Sequence, residues 1–242
     1  MNAQPLLPIS EVLRAAFAFY RANVRLILIV TFPVVAFVDV VIGAGLGELT
    51  ASVHKQLSTA DGYIGLAASD LVTVPLVTAM LARAVVIELG GGQPPTIRQV
   101  AEQGFDLFAP ALLVVIMFVS AVLFGLILIV PGIYIAVSWY FVVQAVAVDG
   151  HRGVAAASAS AALVRGRWWH TAGVLICLQL LADVASAAAT AIFESLATAV
   201  NSDAVVVLGN VLIDTVALPF VAIGATLYYL ELRKRAGIPA PR

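Results

Sequence analysis

Cysteine is nearly missing from this chain: Cys177 is the only one in 242 residues, so no internal disulfide can form. Charge is scarce too, because Asp, Glu, Lys and Arg make up only 11% of the residues, where a soluble domain carries about a quarter. The three histidines, His54, His151 and His170, lie far apart with no spacing that suits a metal. No Ser sits in a nucleophile elbow, and no Asp-rich motif for phosphate or Mg²⁺ is present. Gly43, Gly45 and Gly47, and the run from Gly90 to Gly92, lack a strand-then-helix context and read as helix ends rather than phosphate-cradling loops. Residues 1–8 have no basic start ahead of an apolar run, so no cleaved signal peptide is expected. Together these gaps leave catalysis without a constellation, imply no cofactor and no metal, and give nucleic acid no basic surface to meet.

Apolar surface is what the chain has in excess. Hydrophobic residues account for 62% of it, more than a soluble core of this length could hide. A bilayer core needs about 20 apolar residues in helix, and six stretches meet that need: 26–45, 64–83, 110–130, 132–148, 171–190 and 205–230. The expected fold is therefore an all-α integral membrane protein, a single polytopic domain over 1–242 with six transmembrane helices. Between Leu107 and Val148 no residue is charged, and only Pro131-Gly132 interrupts the run, which predicts a tight turn there between the third and fourth spans.

The basic residues sort by side. A six-span topology puts Arg14, Arg21, Arg25, Arg83, Arg98, Arg152, Arg165, Arg167, Arg233, Lys234, Arg235 and Arg242 on one face and Lys55 alone on the other. Lys and Arg near spans are retained in the cytoplasm, so both termini are expected inside, with residues 46–63 and 191–204 outside. Aromatic belts follow the same frame, with Tyr63 and Tyr134 outside and Tyr20, Trp168, Trp169, Tyr228 and Tyr229 inside.

Amphipathic helices are expected on the cytoplasmic face before spans 1, 3 and 5. In the first, Ser10 to Ala22, residues Ile9, Leu13, Ala16, Phe17 and Tyr20 recur at helical spacing against Glu11, Arg14 and Arg21. The second opens with Thr96 and Gln99, a capping-box pattern, and presents Ile97, Val100 and Phe105. The third, 154–164, is rich in Ala and ends at Arg165-Gly166-Arg167 with Trp168-Trp169. Such helices anchor at the headgroup boundary, and segment 154–169 is also the expected docking point for any cytoplasmic protein partner.

Polar residues inside the spans carry the concentrated functional signal, since an ionisable group in hydrocarbon costs about 2.5–3.5 kcal/mol even on an insertion scale. Asp39, Asp70, Asp183 and Asp214 fall on four different spans at roughly 9, 9, 10 and 14 Å below the outer face, counted at the helical rise. Gln179 joins Asp183 on one helical stripe, and Asn210 joins Asp214 on another, so these faces should turn into the bundle. No basic residue shares that depth. The six residues Asp39, Asp70, Gln179, Asp183, Asn210 and Asp214 are the candidate wall of a polar cavity for a cation, a proton or a polar headgroup. The competing expectation is that the carboxyls only bond helix to helix.

Short motifs add a resemblance. Pro131-Gly132-Ile133-Tyr134 with Trp139, then Asp149-Gly150, then Ser160, Leu163, Val164, Arg165 and Gly166 before Trp168-Trp169, and finally Pro219, Tyr228-Tyr229 and Arg233 resemble the membrane domain of bacterial glycerophosphoryl diester phosphodiesterases and the YciC-like integral membrane proteins. In the fused enzymes catalysis belongs to a separate soluble barrel of about 250 residues, for which this chain has no room. The resemblance therefore implies a non-enzymatic module of the bacterial cytoplasmic membrane in contact with membrane lipids, serving organisation or lipid-associated work. A small transporter or channel using the Asp cluster, and an adaptor for a cytoplasmic partner, are the alternatives.

Overall fold

The computed structural model describes residues 7–45, 60–91 and 94–241. All regular structure among them is helical: α1 (Ile9–Ala22), α2 (Val24–Gly45), α3 (Ala60–Leu89), α4 (Ile97–Leu126), α5 (Val130–Ser138), α6 (Val142–Asp149), α7 (Val154–Val164), α8 (Trp168–Val200) and α9 (Asp203–Arg235). Lys55, His54, Gly47 and most of the expected loop 46–63 lie outside the described residues; residues 60–63 of that expected loop belong to α3.

Helix α1 follows its apolar periodicity, burying Val12 and Ala16 while Glu11, Arg14 and Arg21 stay exposed. Asn23 ends it, its backbone N–H donating to the Phe19 and Tyr20 carbonyls and its Nδ2 to the Phe19 carbonyl at 3.2 Å. The chain then turns by 84° into α2. Five stretches are long and apolar enough to cross a membrane: Ser69–Leu89, Ile97–Leu126, Val130–Asp149, Trp168–Val200 and Ala204–Arg235. The bent α1–α2 pair makes a sixth when taken as one span. Pro33, Pro75, Pro110 and Pro219 all lie inside helices, as bilayer helices permit when neighbours satisfy the freed carbonyls.

The packing is centred on α6, whose residues Val142 to Val148 are all buried. Around it stand Ala79 and Ala82 of α3, Ala111 and Val114 of α4, Ala156 and Leu163 of α7, and Tyr228, Tyr229 and Leu232 of α9. A second cluster ties Ile27 of α2 to Val77, Leu81 and Val85 of α3 and Ile223 of α9. The long α8 pairs mainly with α9, touching α1 and α5 near its start.

Several expectations need correction. The amphipathic stretch at Thr96 is not a separate interfacial helix: Thr96 caps α4, accepting from the Gln99 N–H at 3.3 Å, and α4 then runs unbroken for 30 residues. The N-cap half of the expected capping box forms, but no breaker follows it, since Pro110 is absorbed inside the helix. The tight turn lies at Ile127–Ile129, with Ile129 at φ 54°, and not at Pro131-Gly132. Pro131 sits instead in the first turn of α5, where its missing N–H is not needed. Gly132 serves the close crossing of α4 and α5, because a Cβ there would come within 2.6 Å of the Leu126 nitrogen. Residues 191–200 are not an outer loop but the last three turns of α8, and the connection to α9 is only Asn201 and Ser202.

Tyr134 and Trp168, assigned above to opposite belts, stack with ring centroids 6.1 Å apart, and Trp168 Nε1 donates to the Tyr134 carbonyl at 3.3 Å. The reason is the course of α7, which folds back along α6 and α5. Its Ser160 Oγ donates to the Ser138 carbonyl at 2.8 Å and accepts from the Phe141 N–H at 3.2 Å, filling the break between α5 and α6.

Candidate functional site

Four of the six residues singled out in the spans meet at one place. Asp70 of α3, Gln179 and Asp183 of α8, and Asp214 of α9 line a cavity of about 720 Å³ whose wall is drawn from α3, α4, α6, α8 and α9. Most of its wall is apolar, including Val74, Val115, Phe118, Val143 and Leu218. Among the described residues, no Lys, Arg or His lines it.

Within the site, Gln179 Nε2 donates to Asp183 Oδ1 at 2.8 Å, the one-turn pair expected of residues four apart on a helix. Asp70 and Asp214 make no hydrogen bond or ion pair among the described residues. Asp39 stands behind the wall rather than in it. Its Oδ1 accepts from Ser69 Oγ at 2.6 Å, which fixes it beside Asp70, and its Oδ2 is buried with no hydrogen-bond partner among the described residues. Asp39, Asp70 and Asp214 are close enough for their charges to act on one another. Asn210, one turn before Asp214 on α9, does not line the cavity.

The sequence reading missed three polar residues on α3 and around α6: Thr78, Tyr140 and Gln144. Gln144 is the informative one. It is 2% exposed, lines the cavity, and its Oε1 has no hydrogen-bond partner among the described residues. A buried amide without a partner costs about 1–3 kcal/mol, which a ligand bonding to it would relieve. It is the lone Gln in the charge-free run from Leu107 to Val148, and that isolation was the available signal.

Some of the residues that carry the resemblance also meet, though elsewhere. Asp149, at the end of α6, pairs with Arg233 of α9 at 2.6 Å and accepts a hydrogen bond from the Tyr229 hydroxyl. Tyr228 bonds His170 Nδ1 at 2.9 Å and lies near Thr171 Oγ1, at 3.3 Å. His170 is therefore engaged in holding α8 to α9, and among the described residues no group of His, Cys, Asp or Glu could hold a metal ion.

Fold and cavity together define a polytopic helical membrane protein whose interior polar site is acidic. The chain matches no known family profile, no curated protein and no solved structure.

Proposed function

We propose that this is a non-enzymatic protein of the bacterial cytoplasmic membrane that binds a cation, or the cationic end of a larger molecule, in the cavity formed by Asp70, Gln179, Asp183 and Asp214. One observation carries this reading: three carboxyls from three helices line a single cavity with no basic residue in its wall among the described residues. Carboxyls serving only to bond helix to helix would be expected against partners, and Asp70 and Asp214 have none in the described structure. Intramembrane acids also mark ion and substrate paths more often than packing contacts. The proposed setting is six spans with both termini in the cytoplasm, as the basic residues require.

The site gives no support to turnover, since it offers neither a nucleophile paired with a base nor a metal-holding group. Tetramethylammonium, a small cation that cannot be deprotonated, tests the reading. Saturation-transfer NMR on the purified protein in nanodiscs of anionic and neutral lipid should detect its binding. The pair Asp70→Asn with Asp214→Asn should weaken that binding at least tenfold. Equal binding by the wild type and the double variant would remove the cavity from the function.

A further inference from the structure

The cavity is larger and more apolar than a small ion alone would need, and aliphatic side chains flank its exposed rim. At about 720 Å³ it falls in the range of sites for small organic molecules, about 300–1,000 Å³, where apolar walls hold the body of a ligand and a few polar groups fix its orientation. On one side of its open edge stands Val119 of α4, which lines the cavity and is 39% exposed. Opposite it, Gln179 and Asp183 of α8 both line the cavity and are exposed. Beyond them both helices present bare aliphatic side chains, Ile116 on α4 and Leu180 and Val184 on α8. The opening thus lies between two helices whose outer faces suit hydrocarbon, with the exposed carboxyls of Asp70 and Asp183 at its edge and that of Asp214 further in.

Building on the cation-binding reading above, we propose that the occupant is a hydrophobic cation, an ammonium or phosphonium bearing bulky apolar substituents, entering sideways from the lipid between α4 and α8. The exposed Asp70 and Asp183 at the rim meet the charge first, and Asp214 holds it further in. Phe118 and Tyr140 supply ring faces of the kind that attract cations. Gln144, buried and lacking a partner for its Oε1, supplies a polar contact for an occupant at the inner wall. A hydrated inorganic ion would use the carboxyls but gain nothing from the apolar wall.

Tetraphenylphosphonium and tetraphenylborate share shape and hydrophobicity and differ in the sign of charge, so they test this directly. Equilibrium dialysis against the protein in nanodiscs, corrected with empty nanodiscs, should show saturable binding of the phosphonium and none of the borate. Asp70→Asn with Asp214→Asn should weaken phosphonium binding at least tenfold. Val119→Trp, which narrows the rim, should weaken it at least fivefold, with an unchanged thermal midpoint showing that the variant is folded. Binding of tetramethylammonium without the phosphonium would overturn the hydrophobic-cation inference and leave the cation site standing. Binding of phosphonium and borate alike, or a Val119→Trp variant that binds the phosphonium normally, would overturn it too. Binding of neither cation would overturn both readings.

Discussion

Replacing Asp149 by Asn should destabilise the protein more than any change at the cavity. The carboxylate pairs with Arg233 at 2.6 Å and takes the Tyr229 hydroxyl, and the side chains of the pair are only 14% and 6% exposed. Arg233 Nε is already buried without a hydrogen-bond partner, so the guanidinium depends on Asp149 for its neutralisation. Removing one member of such a buried pair costs about 3–5 kcal/mol, chiefly because the other charge is left uncompensated. For a chain of this size that corresponds to a Tm lower by about 6–20 °C. Intrinsic tryptophan fluorescence during a thermal ramp in mild detergent would read it. The reasoning also requires coupling: Arg233→Met in the Asp149→Asn background should recover more than half of the loss, since the orphaned charge goes with it. A Tm change under about 2 °C for the single variant, or additive losses in the double variant, would refute the account.

Tyr229→Phe removes a hydrogen bond to a charged group and should cost about 1.5–3 kcal/mol in the same ramp, less than Asp149→Asn. Gly132→Ala forces a Cβ to within 2.6 Å of the Leu126 backbone nitrogen, which cannot yield as a side chain would; overpacking of this kind costs about 1–3 kcal/mol, visible as a lower Tm and reduced yield of the folded form. Ser160→Ala leaves the Phe141 N–H and Ser138 carbonyl at the α5–α6 break without their shared partner, a loss of about 1–3 kcal/mol. For orientation, single cysteines at 98 or 152 in a Cys177→Ala background should resist an impermeant thiol reagent added to intact cells, and one at 201 should react; the reverse pattern would invert the topology.

What the sequence revealed and what it hid divide along physical lines. The bounds of α1 and α7 were readable because each is a local matter: apolar residues at helical spacing in one, an Ala run between Gly153 and Arg165 in the other. Gln179 and Asp183 were readable as one face, since four residues make one turn. The same spacing misled at Asn210 and Asp214, where only Asp214 reaches the cavity. Helical register says which side chains share a stripe, but where the stripe stops facing a cavity depends on neighbouring helices. The turn at Ile127–Ile129 was hidden for a similar reason: it is made by two helices crossing at Gly125 and Gly132, and nothing in the residues of the turn marks it. The structure also shows how one basic residue near the cavity is held away from it. Arg83 lies five residues beyond the cavity residue Thr78 on α3, yet its Nε donates to Gln103 Oε1 at 2.8 Å and its Nη1 to the Ala147 carbonyl at 3.5 Å. With those bonds formed, turning Arg83 toward Asp70 would leave both acceptors without it, so this guanidinium stays committed away from the cavity.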